Sequence, residues 1–257
     1  MTTAMIVQAR MASTRLPQKV MRRIGGRTIL DYVLTRCMAV PGIDVVVCAT
    51  VDTPDCDPIA AEAVRIGAVI YRGGENDVLA RYLGSAESVG ADVIMRVTSD
   101  CPLIDPAVCG AVLRLRAEQR TDYACNNMPP SWPHGLDCEA FTFEALKRAD
   151  AMAHEPIERE NPTRVMRTKA GWSRVSLLGP GGHWDGMRLT LDTQADWAFF
   201  NALIPRLRDP DRASLSEINA VLCANPEIAS LVAGEQLHHG IRREAPTRSY
   251  RDFLPAL

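Results

Sequence analysis

Short β-branched apolar runs alternate with longer segments of helical periodicity, and this alternation limits the possible folds more than any other feature. The predicted strands are 5–9, 44–50, 68–72 and 92–97. The predicted helices between them are 28–40, 56–67 and 76–90. Because consecutive apolar residues make up most of each strand run, we expect the strands to be buried on both faces. The sequence therefore predicts an α/β fold, with a mainly parallel sheet flanked by helices.

The middle of the chain, from 121 to 191, changes to short strands separated by loops. Its strand candidates are YACNN (123–127), CEAFTF (138–143), WSRVSLL (172–178) and MRLTL (187–191). Helices are predicted near 142–153 and 158–169. We interpret this segment as a mixed extension of the same sheet, where a second substrate and a second subunit bind.

The remainder divides into a helical segment and a tail. Residues 194–233 have helical periodicity, whereas IRREAPTRSYRDFLPAL (241–257) is polar and contains prolines, which predicts a loose end. A chain of 257 residues can bury a full core as one domain. We therefore predict a single catalytic domain at 1–235 and a C-terminal tail at 236–257.

Charge and cysteine content exclude several classes of function. The 29 Lys and Arg nearly balance the 31 Asp and Glu, so no overall field attracts nucleic acid or an anionic membrane. The start of the chain lacks a basic, apolar leader, and no apolar run is long enough to span a bilayer. The eight cysteines include no Cys-x-x-Cys pair, which indicates a reducing compartment rather than disulfides or zinc. We expect a cytoplasmic protein with no nucleic-acid or membrane partner.

The segment RMASTRLPQK (10–19) follows the first predicted strand and carries Arg10, Arg15 and Lys19. In an open parallel sheet the ligand crevice lies at the carboxyl ends of the strands, where this loop lies. Three small residues between the cations would let backbone N–H groups approach an anion: Ala12, Ser13 and Thr14. The loop is not a Walker A motif, because Val20 follows the lysine. The position of the loop favours a phosphate-binding role, but the three cations alone fit an exposed basic loop without a ligand equally well.

The stretch VQARMASTRLPQKV (7–20) resembles the signature loop of the CMP-sugar synthetase superfamily, which reads approximately Gln/Pro-Ala-Arg-x-x-Ser-Thr-Arg-Leu-Pro-Gly-Lys. The best match within it is the spore-coat polysaccharide cytidylyltransferase-like family. Four further stretches agree in the same order: GGENDVLARY (73–82), RVTSDCPLIDP (96–106), HGLDCEAFT (134–142) and LTLDTQADW (189–197). The similarity thus covers roughly residues 4 to 200.

This resemblance implies a Rossmann-like nucleotidyltransferase fold that binds CTP and Mg²⁺. The implied reaction couples CMP to an acidic sugar of the nonulosonate or ulosonate type and releases pyrophosphate, in polysaccharide or glycoconjugate biosynthesis. Related synthetases are commonly dimers, so the resemblance also implies a homodimer.

The resemblance assigns the catalytic roles to Arg15, Lys19 and Asp100, and the metal ligands to Asp100 and Asp192. Each aspartate follows a predicted strand, so both carboxylates would meet the cationic loop in one pocket, where they suit a hard divalent cation. The alternative for each is a turn or helix-cap residue. Asp105, which precedes a proline and a helical pattern, is predicted to be such a cap.

The resemblance also indicates the nucleotide contacts, whereas the acceptor contacts are chosen for their side-chain chemistry. The predicted nucleotide-binding residues are Ala9, Arg10, Met11, Ala12, Ser13, Arg15, Lys19, Gly73, Gly74, Asp77 and Arg81. The predicted acceptor-binding residues are Asn126, Asn127, Asp137, Glu139 and Arg159. Their amides, carboxylates and guanidinium suit sugar hydroxyls and a carboxylate. A surface ion pair between Asp77 and Arg81, and purely structural roles for the acceptor set, remain alternatives.

Three positions depart from the family pattern. Gln18 replaces a Gly, so a positive φ at this position would strain the loop. Asn161 replaces a His and Pro162 is new, which leaves the acceptor open. Ser99 replaces a Gly before Asp100, a milder change.

Other functions stay possible from the sequence alone. A glycosyltransferase that uses a nucleotide sugar would carry an Asp-x-Asp motif, whereas only isolated SDC and LDT occur. A cytidylyltransferase acting on a small acidic alcohol or phosphonate, and a non-catalytic nucleotide-binding protein, are the further alternatives.

Overall fold

The computed structural model describes residues 1–237 and 248–253. In that part of the chain the strands are β1 (Thr3–Gln8), β2 (Arg23–Ile24), β3 (Arg27–Thr28), β4 (Val45–Val51), β5 (Val69–Gly73), β6 (Val93–Thr98), β7 (Tyr123–Cys125), β8 (Glu139–Thr142), β9 (Arg174–Leu177) and β10 (Ser249–Tyr250). The α-helices are α1 (Ile29–Met38), α2 (Asp57–Ile66), α3 (Val78–Ser88), α4 (Pro106–Gln119), α5 (Phe143–Met152), α6 (Pro156–Glu160), α7 (Arg164–Thr168), α8 (Gln194–Leu203), α9 (Leu215–Ala224) and α10 (Pro226–Ser230).

The main sheet has the strand order β10-β9-β7-β8-β6-β1-β4-β5. Strands β6, β1, β4 and β5 are mutually parallel, and β8 runs antiparallel to both β6 and β7. The predicted fold class, a mainly parallel sheet with a mixed extension, is therefore confirmed. The strands and helices predicted before residue 100 are also confirmed, with ends that shift by one or two residues.

Both faces of β1, β4 and β6 are covered, as expected from their apolar runs, whereas β5 at the edge of the sheet is only partly buried, which corrects the expectation for that strand. On β1, Met5 and Val7 pack in one core with α1, α2, α4 and the C-terminal helices. Ala4 and Ile6 point to the other face and pack with α3, α5 and α7. Successive strand residues alternate between faces, so burial on both sides requires apolar residues at every position.

Helix starts follow the side chains that cap them. Asp105 accepts hydrogen bonds from the backbone N–H groups of Ala107 at 2.8 Å and Val108 at 3.1 Å, which confirms it as the cap of α4. Among the described residues, no helix has both the length and the apolar character needed to cross a bilayer.

Two predicted elements differ in the structure. The predicted strand 187–191 is an extended connection with only an isolated bridge between Arg188 and His134. The predicted helix 158–169 is two short helices, α6 and α7. The break lies at Asn161, which has extended backbone angles (φ −114°, ψ 94°). Proline disfavours the helical region for the residue before it and lacks an N–H donor, so Pro162 divides the helix.

The C-terminal part is more structured than the sequence predicts. The helical segment 194–233 is three separate helices, α8 to α10. Within the tail, β10 pairs in parallel with β9, with Ser249 beside Ser176. Residues 238–247 and 254–257 of the predicted loose tail lie outside the described residues.

Candidate active site

A polar cavity of about 320 Å³ lies at the carboxyl ends of β1 and β6. The loop that follows β1 forms one wall. The predicted site residues that line the cavity are Ala9, Arg10, Ala12, Ser13, Arg15, Lys19, Arg81, Asp100 and Asp192. This is the crevice position expected for an open parallel sheet.

Lys19 joins the two predicted metal-binding carboxylates. Its Nζ donates to Asp100 Oδ2 at 2.9 Å and to Asp192 Oδ1 at 2.8 Å. Burial alone would lower the pKa of Lys19, but the two neighbouring carboxylates raise it above its ordinary value. The ammonium therefore stays charged, and residues separated by more than 170 positions meet at one point.

Asp100 is held in its ionised form. Burial would raise its pKa, but the Lys19 ammonium and a hydrogen bond from Thr98 Oγ1 to Asp100 Oδ1 at 2.5 Å lower it below the usual range. Asp100 follows β6 directly, so the strand sets its position. The result is a fixed negative charge at the edge of the cavity.

Asp192 is positioned by the preceding segment 187–191, which was predicted to be a strand but is an extended connection. The backbone N–H of Leu191 donates to the Asp100 carbonyl oxygen at 2.8 Å, which brings the two aspartates together. The buried Asp196 carboxylate accepts from the backbone N–H of Asp192 at 2.8 Å and is paired with Arg188 at 2.7 Å. The extended connection thus places Asp192 without a sheet ladder.

The two remaining loop cations are more exposed. Arg15 Nη2 lies 3.3 Å from Asp192 Oδ2, and Arg10 Nη1 lies 3.8 Å from Glu75 Oε1, each with about half of its side chain exposed. Exposed ion pairs contribute little to stability, so these side chains can exchange their partners for a ligand at small cost. Met11, which was also predicted to bind nucleotide, does not line the cavity.

The predicted second nucleotide segment lies only partly at the cavity. Arg81 lines it and donates to the Gly74 carbonyl oxygen at 2.9 Å, whereas Gly73, Gly74 and Asp77 do not line it. A Cβ on Gly73 would lie 2.8 Å from Arg81 Cγ, so this glycine makes room for the arginine. Its small size serves packing inside the protein.

Asp77 and Arg159 pair with each other instead of contacting the cavity. Arg159 Nη2 donates to Asp77 Oδ2 at 2.6 Å, and Asp77 also caps α3 through the Ala80 N–H. Arg159 makes a second ion pair with Asp150 at 2.6 Å. Asp77 and Arg81 are four residues apart but form no ion pair, because Arg159 binds the Asp77 carboxylate.

Of the other predicted acceptor residues, Asn126, Asp137 and Glu139 have structural partners, whereas the buried Asn127 Oδ1 has none in the described structure. The Asn126 amide donates to the Leu136 carbonyl oxygen at 2.7 Å and accepts from the Cys138 N–H at 2.9 Å. Asp137 accepts from the Gly135 N–H at 3.1 Å. Asn127 is buried, and Glu139 is enclosed between β6 and β7. The structure places none of these four in the lining of this cavity.

Sequence reasoning missed several residues that do line the cavity: Gln8, Arg96, Thr98, Glu160 and Asn161. Arg96 had a detectable signal, because it is a lone cation inside the apolar run VIMRV. Asn161 was singled out only as a departure from the family pattern. Glu160 carried no signal in the sequence.

A family model described as cytidylyltransferase matches residues 4–170 of the chain. The chain belongs to the cytidylyltransferase family. The match covers more than half of the chain, including the cationic loop and Asp100. The protein is accordingly a nucleotidyltransferase enzyme related to CMP-sugar synthetases.

Relatives of the cytidylyltransferase extend the match over most of the chain. The spore coat polysaccharide biosynthesis protein SpsF of Bacillus subtilis is 31% identical over 231 residues, covering 88% of this chain and 95% of SpsF. A cytidylyltransferase structure from Leptospira borgpetersenii is 28% identical, with a TM-score of 0.85, covering 93% of this chain and 100% of that chain. CMP:2-keto-3-deoxy-manno-octonic acid synthetase in complex with CTP is 18% identical, with a TM-score of 0.58, covering 80% and 99%. This last likeness extends to the fold alone.

Asp100 and Asp192 could hold a divalent cation in the cytidylyltransferase. The described residues contain no cluster of three or more His, Cys, Asp and Glu side chains arranged for a metal. Two carboxylates that already share one cation, Lys19, at 2.8 and 2.9 Å fit an ion that takes its remaining oxygen ligands from water or a substrate. Mg²⁺ is commonly bound in this way, through one or two carboxylates and phosphate oxygens.

Gln18 adopts the left-handed conformation (φ 55°, ψ 27°) that favours glycine. This confirms the positive φ considered from the sequence. We expect Gln18→Gly to raise the free energy of unfolding by about 1 kcal/mol, because glycine removes the Cβ clash of this conformation. Urea unfolding measures the change.

A matched control is Arg120→Gly, since Arg120 has a similar φ of 50° at the end of α4, outside the cavity lining. Both variants should gain stability, and only Gln18→Gly should alter nucleotide binding. Loss of stability in Gln18→Gly would show that the side chain makes contacts that outweigh the strain.

Proposed function

We propose that the enzyme transfers cytidylate from CTP to a hydroxyl group of an acidic sugar and releases pyrophosphate, in polysaccharide or glycoconjugate biosynthesis. The observation that carries this proposal is the convergence of Lys19, Asp100 and Asp192 beneath a loop bearing two further cations. The cytidylyltransferase family model supports this chemistry, and the name of the related SpsF supports a place in polysaccharide biosynthesis.

The triphosphate would bind to the cationic loop. Arg10 and Arg15 are exposed enough to turn toward phosphate oxygens, and Lys19 already lies inside the cavity. Charge-assisted hydrogen bonds from these groups suit phosphate oxygens, and the backbone N–H groups around Ser13 add further donors. Lys19 would exchange one of its carboxylate partners for a phosphate.

Mg²⁺ would be held by Asp100 and Asp192, where it would offset the charge of the triphosphate. The low pKa of Asp100 keeps that carboxylate ready to bind a cation at neutral pH. Asp196 keeps Asp192 oriented by accepting from its backbone N–H.

The reaction is an in-line displacement at the α-phosphate. The acceptor hydroxyl oxygen forms a new P–O bond, the bond between the α-phosphorus and the bridging oxygen breaks, and pyrophosphate leaves with that bridging oxygen. One proton is released from the hydroxyl group. Arg15 and Lys19 stabilise the negative charge that develops on the leaving group, which is the main contribution expected from fixed cations.

The domain and assembly predictions accompany this proposal. We propose residues 1–235 as the catalytic domain of a cytoplasmic homodimer, with 121–191 at the subunit contact. Pairing of β10 with β9 supports assigning the described end of the tail to the same sheet. Light scattering on the purified full chain measures the mass of the assembly.

Pyrophosphate release tests the proposed function. The full chain with Mg²⁺ is offered each of four nucleoside triphosphates, together with nonulosonic acids, an eight-carbon ulosonate, smaller acidic alcohols and neutral sugars. We expect release with CTP and a sugar acid, and at least a tenfold lower rate with the other nucleotides. Turnover of UDP-sugar donors, or no pyrophosphate release from any triphosphate, would contradict the proposal. If the enzyme prefers a phosphonate, the acidic sugar is replaced by a phosphonate as the proposed acceptor.

A further inference from the structure

Arg96 is a charged residue on the cavity wall that the proposed function leaves without a role. It lies on β6 between Met95 and Val97, which are buried in the sheet. About a fifth of its side chain remains exposed, and it lines the cavity together with Gln8 and Thr98. A cation built into an apolar strand therefore faces the substrate space.

Glu139 on β8 fixes this guanidinium in place. The two residues are directly opposite each other in the antiparallel pairing of β6 and β8, and Arg96 Nη1 donates to Glu139 Oε2. The Glu139 carboxylate also accepts from Tyr123 Oη at 2.5 Å and Thr163 Oγ1 at 2.8 Å. With only 1% of its side chain exposed, Glu139 is a buried anchor for Arg96.

The charges around Glu139 do not balance. Arg167 Nη1 lies 3.6 Å from Glu139 Oε1, so two cations share one carboxylate. Within the described part of the chain, neither arginine has an ion pair with any other carboxylate. Glu160, which also lines the cavity, is exposed and takes part in no ion pair there. An excess of one buried positive charge is costly unless an anion joins it.

Arg96 also has hydrogen-bond donors to spare. A guanidinium has five N–H donors. Its Nε is buried and has no hydrogen-bond partner in the described structure, Nη2 donates to Gln8 Oε1 at 3.5 Å, and the Tyr82 hydroxyl lies beside the guanidinium. The N–H donors of Arg96 that are not fully used and its uncompensated positive charge both indicate a negatively charged ligand.

We propose that Arg96 binds the anionic group of the acceptor, a carboxylate, and that Glu139 positions Arg96 for this contact. The inference rests on the proposed cytidylyl transfer. The phosphates of CTP have their own cations in the loop, and cytosine is neutral, so neither supplies the missing negative charge. Arg96 lies four residues before Asp100, up to about 13 Å along an extended strand, which separates the carboxylate from the triphosphate. A guanidinium binds a carboxylate with two parallel hydrogen bonds.

The test compares Arg96→Met and Arg96→Lys with the parent enzyme in steady-state pyrophosphate release. The acceptor is the best acid from the panel, and its carboxamide is the uncharged probe. We expect the parent to use the carboxamide at least tenfold less efficiently than the acid. Arg96→Met should raise the KM for the acid about 10- to 100-fold, and the KM for CTP should stay within about threefold. Arg96→Lys should raise the KM for the acid less than Arg96→Met does, because lysine keeps the positive charge but lacks the two parallel N–H donors of the guanidinium.

Arg116→Met is the matched control, because Arg116 is a buried arginine on α4 that does not line the cavity. Its kinetic constants should equal those of the parent. Arg96→Met leaves Glu139 paired with Arg167 alone, a balanced pair, so its urea midpoint should be close to that of the parent. This second measurement separates loss of binding from loss of folding.

Three outcomes would overturn the inference. Equal use of the acid and the carboxamide would show that no anion is recognised, and a selective rise in the KM for CTP would assign Arg96 to the nucleotide. An acceptor KM that is unchanged in both Arg96 variants would show that Arg96 does not bind the acceptor. Absence of pyrophosphate release from CTP with every acceptor is a different result, because it removes the proposed function as well.

Discussion

Replacing Lys19 with Met is expected to lower kcat/KM for CTP by about 100- to 1000-fold, corresponding to the loss of a preorganised charged donor at the reacting phosphates. Lys19 is the least exposed cation of the loop, with 15% of its side chain accessible, and both candidate metal ligands touch it. Among the described residues, Arg15 and Arg188 lie 3.3 and 4.0 Å from Asp192 but form no ion pair with Asp100, so neither joins both carboxylates as Lys19 does. Steady-state pyrophosphate release at saturating acceptor measures the effect.

The control for this variant is Lys147→Met on α5. Lys147 is a surface lysine whose Nζ is paired with the exposed Glu144, and it lies outside the cavity lining. It should retain the parent rate, because exposed pairs contribute little. A Lys19→Met enzyme that retains activity within a few-fold of the parent would exclude the lysine from the transition state.

Replacing Glu139 with Gln is expected to lower the free energy of unfolding by about 3 to 5 kcal/mol at pH 7. The change leaves Arg96 and Arg167 close together in the interior without a carboxylate, and it weakens the hydrogen bonds from Tyr123 and Thr163. Such a loss is a large part of the total stability of a typical domain. Guanidinium chloride unfolding measures it.

The effect of Glu139 depends on pH. Burial would raise its pKa, but Arg96 and Arg167, with the hydrogen bonds from Tyr123 and Thr163, lower it from 4.5 to about 2. A carboxyl group with a lowered pKa in the folded state stabilises the fold above its unfolded pKa. This stabilisation is lost as the pH falls from about 4.5 to 2. The difference between the parent and Glu139→Gln should therefore shrink between pH 5 and pH 2.5.

Glu118→Gln serves as the control for this pair of measurements. Glu118 is exposed on α4, so its replacement should change the unfolding free energy by less than about 0.5 kcal/mol at either pH. A Glu139→Gln protein that loses under 1 kcal/mol, or a difference that does not change with pH, would contradict the account of Glu139 as a buried anchor.

The sequence predicted well the edge of the sheet where the cavity lies, because local patterns determine it. Parallel strands that are buried on both faces leave a clear apolar signature, and a loop after the first strand must lie at the crevice. The family motifs then linked Lys19 to Asp100 and Asp192. The left-handed conformation of Gln18 could also be considered, since the family carries glycine at that position.

The acceptor side was harder to predict because strand pairing decides it. Glu139 is a polar residue in a short strand, and the sequence alone does not show that β8 pairs with both β6 and β7. That pairing encloses the carboxylate between Arg96 and Tyr123. Arg159 is likewise bound by Asp77, which lies 82 residues away in the chain, and by Asp150, nine residues before it. These residues were chosen for their chemical type, and long-range packing gave them structural partners.

The segment 187–191 shows the same limit in a different way. Its sequence, MRLTL, predicts a strand, but its backbone hydrogen bonds go to His134 and Asp100 in connecting segments. This arrangement still delivers Asp192 to the cavity. The place of this candidate metal ligand at the cavity was predictable, whereas the element that carries it was not.

A crystal structure of the full chain with CTP and Mg²⁺ tests the central claim most directly. The account predicts triphosphate oxygens in contact with Arg15 and Lys19, and the ion bound to Asp100 and Asp192 in the same cavity. A nucleotide bound elsewhere, or an ion that contacts neither aspartate, would contradict it.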